Sequence, residues 1–100
     1  MKAKYNGLKV PPGALKQVDS MEILRAWEVD GALHCSIRPD IWEDPGAWGI
    51  VLADIARQVA AALEEEGVGK GEEVLAQIVE QFTKEVAAAV PLPHGTFLDD

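Results

Sequence analysis

The chain has 100 residues, of which 48% are hydrophobic and 26% are charged, and its net charge is −8. This length and balance predict one folded domain over residues 1–100 and argue against intrinsic disorder. The negative charge repels phosphate backbones, so no nucleic-acid partner is expected. Cys35 is the single cysteine, which excludes an internal disulfide and favours a reducing, cytoplasmic location.

Residues 1–20 are a basic arm with four lysines against one aspartate, and Pro11, Pro12 and Gly13 predict an extended conformation with a turn. The arm either lies across its own acidic body or binds an acidic partner. No long apolar run follows the lysines, as a secretory signal would require. The chain also has no stretch of about 18 apolar residues free of charge, so no membrane interaction is expected.

Residues 22–37 (EILRAWEVDGALHCSI) predict a β-hairpin. Asp30-Gly31 is a favoured pair for a type I′ turn, because both residues tolerate positive φ. Counting back from this turn places Trp27 opposite His34. Since strand side chains alternate between faces, one face is predicted to be the core face. Its members are Leu24, Ala26, Leu33, Cys35 and Ile37.

A first helix is predicted over residues 45–66, with Asp44 as its cap, Pro45 in its first position and Gly67 at its end. At about 100° per residue, its apolar residues form one broad arc. The arc comprises Trp48, Val51, Leu52, Ile55, Ala56, Val59, Ala62 and Leu63. Ile50 falls on the opposite, polar side.

A glycine-rich link leads to a second helix predicted over residues 72–90, which Pro91 ends. A short link between two amphipathic helices favours an antiparallel helical hairpin. Residues 91–100 are predicted to be an extended tail. The apolar side of the second helix comprises Val74, Leu75, Ile78, Val79, Phe82, Val86, Ala89 and Val90.

Together these elements predict an α+β fold, in which an N-terminal arm precedes a β-hairpin packed on an antiparallel helical hairpin (ββαα). A two-stranded ribbon is marginal alone, so it must pack on the helices, recruit another strand, or both. An unpaired strand edge is also a template for a second copy. A homodimer with a continuous sheet is therefore the expected assembly, with an unidentified protein partner as an alternative.

The remaining motifs favour structural roles. The segment GVGKGEE lacks the serine or threonine of a phosphate-binding loop and is flanked by glutamates. His34 and Cys35 are adjacent in a strand and point to opposite faces. No cysteine or histidine stands at metal-ligand spacing. The sequence therefore predicts no catalytic residue, cofactor or metal, and does not favour an enzyme.

The segment RPDIWEDPGAWGI, residues 38–50, leaves two interpretations open. In the structural one, Asp44 caps the helix while Trp42 and Trp48 clamp its start onto the sheet. In the functional one, polar groups beside aromatic walls form a small-ligand pocket. The candidate pocket residues are Trp27, His34, Arg38, Trp42 and Glu43.

The segments EILRAW and DGALHCSIRPDIWEDPGAWGIVLADIARQVA resemble a bacterial family of uncharacterised proteins, domain of unknown function 5076. The resemblance covers roughly residues 8–65 and implies a cytoplasmic bacterial protein. It transfers no catalytic residue. We therefore expect a small acidic protein that acts through protein–protein contacts as a homo-oligomer. The alternative is a small-ligand binder or enzyme that uses Trp27, His34, Arg38 and Glu43.

Overall fold

The structure is a computed structural model that describes residues 7–88. It contains an antiparallel two-stranded hairpin followed by two helices, so the predicted ββαα order of an α+β fold is confirmed. The predicted tail over 91–100, and the first six residues of the arm, lie outside the described residues. The elements are α1 (Pro12–Lys16), β1 (Leu24–Val29), β2 (Ala32–Ile37), α2 (Gly46–Glu65) and α3 (Gly71–Ala87).

The arm differs from the prediction, because residues Pro12–Lys16 form the short helix α1 instead of an extended segment. Pro12 occupies the first helical position, where its fixed φ suits a helix and its missing N–H is not needed. The carbonyl of Pro11 accepts bonds from the N–H groups of Ala14 at 3.0 Å and Leu15 at 3.3 Å. The proline pair therefore starts a helical turn here.

The hairpin has the predicted turn and register. Asp30 and Gly31 have φ values of 51° and 82°, as a type I′ turn requires. The Gly31 N–H also donates to a Glu28 carboxylate oxygen at 2.6 Å. Trp27 lies opposite His34 in the ladder, as predicted. A local turn signal therefore sets the register of both strands.

Helix α2 spans Gly46–Glu65, one residue shorter at each end than the predicted 45–66. Its assigned start is Gly46, but Pro45 already has helical angles, and Asp44 Oδ1 accepts a 2.9 Å bond from the Gly46 N–H. At the other end Gly67 has a φ of 83°. The N–H groups of Gly67 and Val68 donate to the carbonyls of Glu64 and Leu63, both at 3.0 Å, which is a Schellman motif.

The helices α2 and α3 pack against each other, and the core among the described residues is small. Ala60 is 3% exposed and Val74 is 6% exposed, and these are the only two hydrophobic residues in residues 7–88 that are buried. Ala60 lies outside the apolar arc predicted for α2. Leu52, Ile55 and Val59, which belong to the predicted arc, are exposed.

The closest backbone approaches are within the ribbon and within the helical pair. In the described part of the chain, β1 lies against β2 and α2 against α3, but no strand Cα lies within 8 Å of a helix Cα. The radius of gyration is 15.6 Å, against about 13 Å for a compact 100-residue domain. An alternating pattern shows that a face needs a cover, but it does not identify which molecule supplies that cover.

Helix α2 also satisfies, by length and composition alone, the criteria for a membrane-crossing helix, although apolar core helices of soluble proteins do so too. Its 20 residues include Asp54 and Arg57 near the middle, with a side-chain N–O distance of 3.5 Å. Charges at such a depth in a bilayer are costly.

Candidate functional site

The five predicted pocket residues are spread over the ribbon and the corner that follows it. Trp27 and His34 are cross-strand neighbours, so their side chains share one face of the ribbon. Arg38 extends the same ladder, since its N–H donates to the carbonyl of Ile23 at 3.0 Å. The ribbon therefore places these three residues on one face, while Trp42 and Glu43 lie beyond its end.

Charged groups at the open end of the ribbon form a bonded cluster. The Arg25 guanidinium donates two bonds to the Glu22 carboxylate, at 2.9 Å and 2.8 Å, in a bidentate arrangement. Arg38 Nε donates to the carbonyl of Glu22 at 2.9 Å. The Arg25 hydrogen bond is the main cause of a lowered Glu22 pKa, with smaller charge effects from Arg25 and Arg38. Sequence reasoning missed Glu22 in this cluster.

The corner between β2 and α2 has the features of a structural joint. The rings of Trp42 and Trp48 meet edge to face, with centroids 5.4 Å apart and an interplanar angle of 75°. Trp48 Nε1 also donates a long bond of 3.4 Å to the carbonyl of Pro39. With the Asp44 cap, these contacts hold the start of α2 against the preceding loop. Glu43 is exposed at this corner.

Two shallow depressions border the ribbon. The first, of about 250 Å³, lies at its open end and includes Arg25 and Arg38 in its wall. The second, of about 270 Å³, lies between β1 and the arm and includes Trp27, Leu8 and Val10. Neither wall contains His34, Trp42 or Glu43. The predicted residues therefore do not converge on either depression.

Exposed apolar side chains are the larger feature, and the sequence pattern predicts only part of it. The predicted core face of the ribbon contains no buried residue, and Leu33 is 56% exposed. Further apolar side chains are exposed along both helices. Ile50, off the predicted arc, is among them. The helical set comprises Ile50, Leu52, Ile55, Val59, Val79, Phe82 and Val86.

Among residues 7–88, no three His, Cys, Asp or Glu side chains are grouped so that they could hold a metal ion. Cys35 is partly exposed and is a free thiol. Over residues 7–88, the geometry therefore offers apolar surface and a two-stranded sheet, next to an arginine–glutamate cluster.

A family model and one solved structure are similar to this chain. The chain matches the family described as "Domain of unknown function (DUF5076)" over residues 7–90. A solved structure from the photosynthetic bacterium Rhodopseudomonas palustrus CGA009, described as a "putative pyruvate dehydrogenase", is 32% identical with a TM-score of 0.72. That alignment covers 91% of this chain and 92% of the other. No curated protein gives a match. The resemblance predicted from the sequence is thus confirmed: the chain belongs to the DUF5076 family.

Proposed function

We propose that the protein acts through protein–protein contacts as a homodimer, in which the helices of each copy cover the apolar ribbon face of the other. The observation that carries this proposal is the exposure of that ribbon face, which has no helix over it in a single described chain. A ribbon of two strands needs a second layer to be stable. In a symmetric dimer, the helices of each copy supply that layer to the ribbon of the other copy.

The accessible surface is large enough for such an interface. The chain exposes 8772 Å², whereas a compact monomer of 10.8 kDa exposes about 5,500 Å². The chain therefore exposes about 3,000 Å² more than a compact monomer of its mass. Obligate homodimers bury roughly 2,000–5,000 Å² in total, so the available surface is sufficient.

Charge favours an apolar interface for this chain. Each copy carries a net charge of −8, so two copies repel each other at long range. Burial of uncharged ribbon and helix faces overcomes this repulsion at about 25 cal/mol per Å² of apolar surface. Added salt screens the repulsion. We therefore expect the dimer to tighten as the salt concentration rises.

Two matched valine substitutions test this proposal. Val79 lies on the apolar side of α3 and is 50% exposed, whereas Val68 lies in the turn between α2 and α3 and is 64% exposed. Val79→Asp places an unpaired charge in the proposed interface, so the dimer dissociation constant should rise at least tenfold, or about 1.4 kcal/mol. Val68→Asp should leave the dissociation constant close to that of the wild type.

Light scattering coupled to size-exclusion chromatography measures the mass of the wild type and both variants, and circular dichroism checks that each is folded. If Val68→Asp and Val79→Asp raise the dimer dissociation constant equally, general surface charge, and not the helix face, controls association. A folded wild type that stays monomeric at submillimolar concentration would overturn the proposal.

A small carboxylate ligand is the second candidate function. Arg38 borders the 250 Å³ depression beside Arg25, whose guanidinium is paired with Glu22, and guanidinium groups suit carboxylates. The similar Rhodopseudomonas structure is described as a "putative pyruvate dehydrogenase", so pyruvate is the carboxylate to test. Pyruvate should then raise the melting temperature of the wild type, and an Arg38→Ala variant of unchanged stability should lose that shift. No shift at saturating pyruvate would count against this ligand.

A further inference from the structure

We infer that the two copies pair along the free edge of β2, so that the dimer contains one antiparallel sheet in the order β1-β2-β2-β1. This inference rests on the proposed homodimer, and it specifies which strand meets its own copy. In the described part of the chain the sheet has two strands, so each strand has one edge without a strand partner. The two edges differ in ways that favour β2.

The direction of the backbone groups follows from the ladder. The Arg38 N–H donates to the carbonyl of Ile23, which makes this a hydrogen-bonded pair. In an antiparallel ladder such pairs alternate along the strands. Ser36, His34 and Ala32 therefore direct their backbone groups toward β1. The N–H and carbonyl groups of Leu33, Cys35 and Ile37 then point away from β1 and can bond to another strand.

The side chains of the two strands differ in charge. The β1 sequence LRAWEV contains Arg25 and Glu28, whereas the β2 sequence ALHCSI contains no Asp, Glu, Lys or Arg. Charged residues on an edge strand oppose pairing with another chain, and their absence over six residues leaves a template for it. For two copies that each carry −8, an uncharged strand is also where close approach costs least.

The arm adds a second difference. Gly7, Leu8 and Val10 line the 270 Å³ depression together with β1 residues Leu24 and Ala26. The arm therefore lies beside β1, whereas none of its described residues lines the depression that β2 borders. Pairing through β2 also keeps the apolar ribbon faces of both copies on one side of a four-stranded sheet, where the helices of the proposed dimer cover them. The pairing is thus continuous with the proposed interface.

A cysteine scan tests the inference, because the chain has only one natural cysteine. Around a twofold axis, one β2 residue lies opposite its own copy, with Cα atoms about 4.5–5.5 Å apart. This falls within the roughly 4.4–6.8 Å that a disulfide spans. Two residues farther along the strand, the separation of equivalent positions grows to about 14 Å. One position should therefore crosslink fastest, and the rate should fall on both sides of it.

The β2 series consists of the wild type and of single-cysteine variants in a Cys35→Ser background. A β1 series in the same background is the matched control, and sedimentation equilibrium confirms that each reduced variant is dimeric. The β2 variants are Leu33→Cys, His34→Cys, Ser36→Cys and Ile37→Cys, and the β1 variants are Arg25→Cys, Ala26→Cys, Trp27→Cys and Glu28→Cys.

Under mild oxidation, a maximum of intersubunit disulfide within the β2 series, at least tenfold faster than in the β1 series, would support the inference. A maximum within β1, or uniformly slow crosslinking in variants that remain dimeric, would overturn β2 pairing and leave the proposed homodimer intact. A monomeric wild type would remove both proposals.

Discussion

Replacing Gly67 with alanine tests the account of how α2 ends. Gly67 has a φ of 83°, a left-handed conformation that costs an L-residue roughly 1–2 kcal/mol. Alanine also lowers the conformational entropy of the unfolded chain, which raises the free energy of unfolding by about 0.4–1 kcal/mol. The net expected loss is therefore about 0.5–1 kcal/mol. No atom lies within 4 Å of the position of the added Cβ, so backbone strain alone should set this loss.

Gly49→Ala is the matched control. Gly49 lies within α2, and a Cβ there also meets no atom within 4 Å. Alanine at a helix interior is favoured over glycine by about 1 kcal/mol, so this variant should gain stability. The same chemical change should thus have opposite signs at the two positions, with a difference of about 1.5–2 kcal/mol, or roughly 10- to 30-fold in the unfolding equilibrium.

Urea denaturation followed by circular dichroism, at one fixed protein concentration, measures both variants, since the stability of a dimer depends on concentration. If Gly67→Ala unfolds at the same urea concentration as the wild type, or above it, the assignment of a strained left-handed end to α2 is refuted.

Two further predictions concern the cap of α2 and the cluster at the open end of the ribbon. Asp44→Ala should destabilise the fold by about 1 kcal/mol in urea denaturation, because it removes the acceptor of the Gly46 N–H. Asp40→Ala, at an exposed position, is the control. Equal losses of stability in the two variants would contradict the role of Asp44 as a cap. The folded-state pKa of Glu22 is lowered from 4.5, so the stability it contributes is present above that value and is lost as pH falls through the lower, folded pKa. Titration by nuclear magnetic resonance should place the Glu22 midpoint below 4.5, and Arg25→Gln should raise it; an unchanged midpoint in that variant would contradict the assigned hydrogen bond.

Local signals in the sequence were sufficient for most of the secondary structure. Asp30-Gly31 forms a tight turn because both residues adopt positive φ. This turn places Trp27 opposite His34. Asp44 and Gly67 mark the ends of α2 for reasons that involve only neighbouring backbone groups. Such features follow from residue type and spacing, so a sequence shows them without knowledge of the tertiary structure.

The relation between the ribbon and the helices could not be predicted in the same way. The alternation of Leu33, Cys35 and Ile37 shows that one face is apolar, but the cover can come from the same chain or from another. The central place of Ala60 was also missed, because periodicity ranks large apolar residues above a small one. The bonded cluster at the open end of the ribbon was missed because it joins Glu22 and Arg38, which are distant in sequence.

Sedimentation equilibrium of the wild-type chain, from low micromolar to submillimolar concentration, tests the central claim most directly. We expect a reversible monomer–dimer equilibrium whose mass approaches twice the 10.8 kDa of one copy. A single species of 10.8 kDa across the whole range, with native circular dichroism, would show that the apolar ribbon face tolerates water without a partner and would contradict the account.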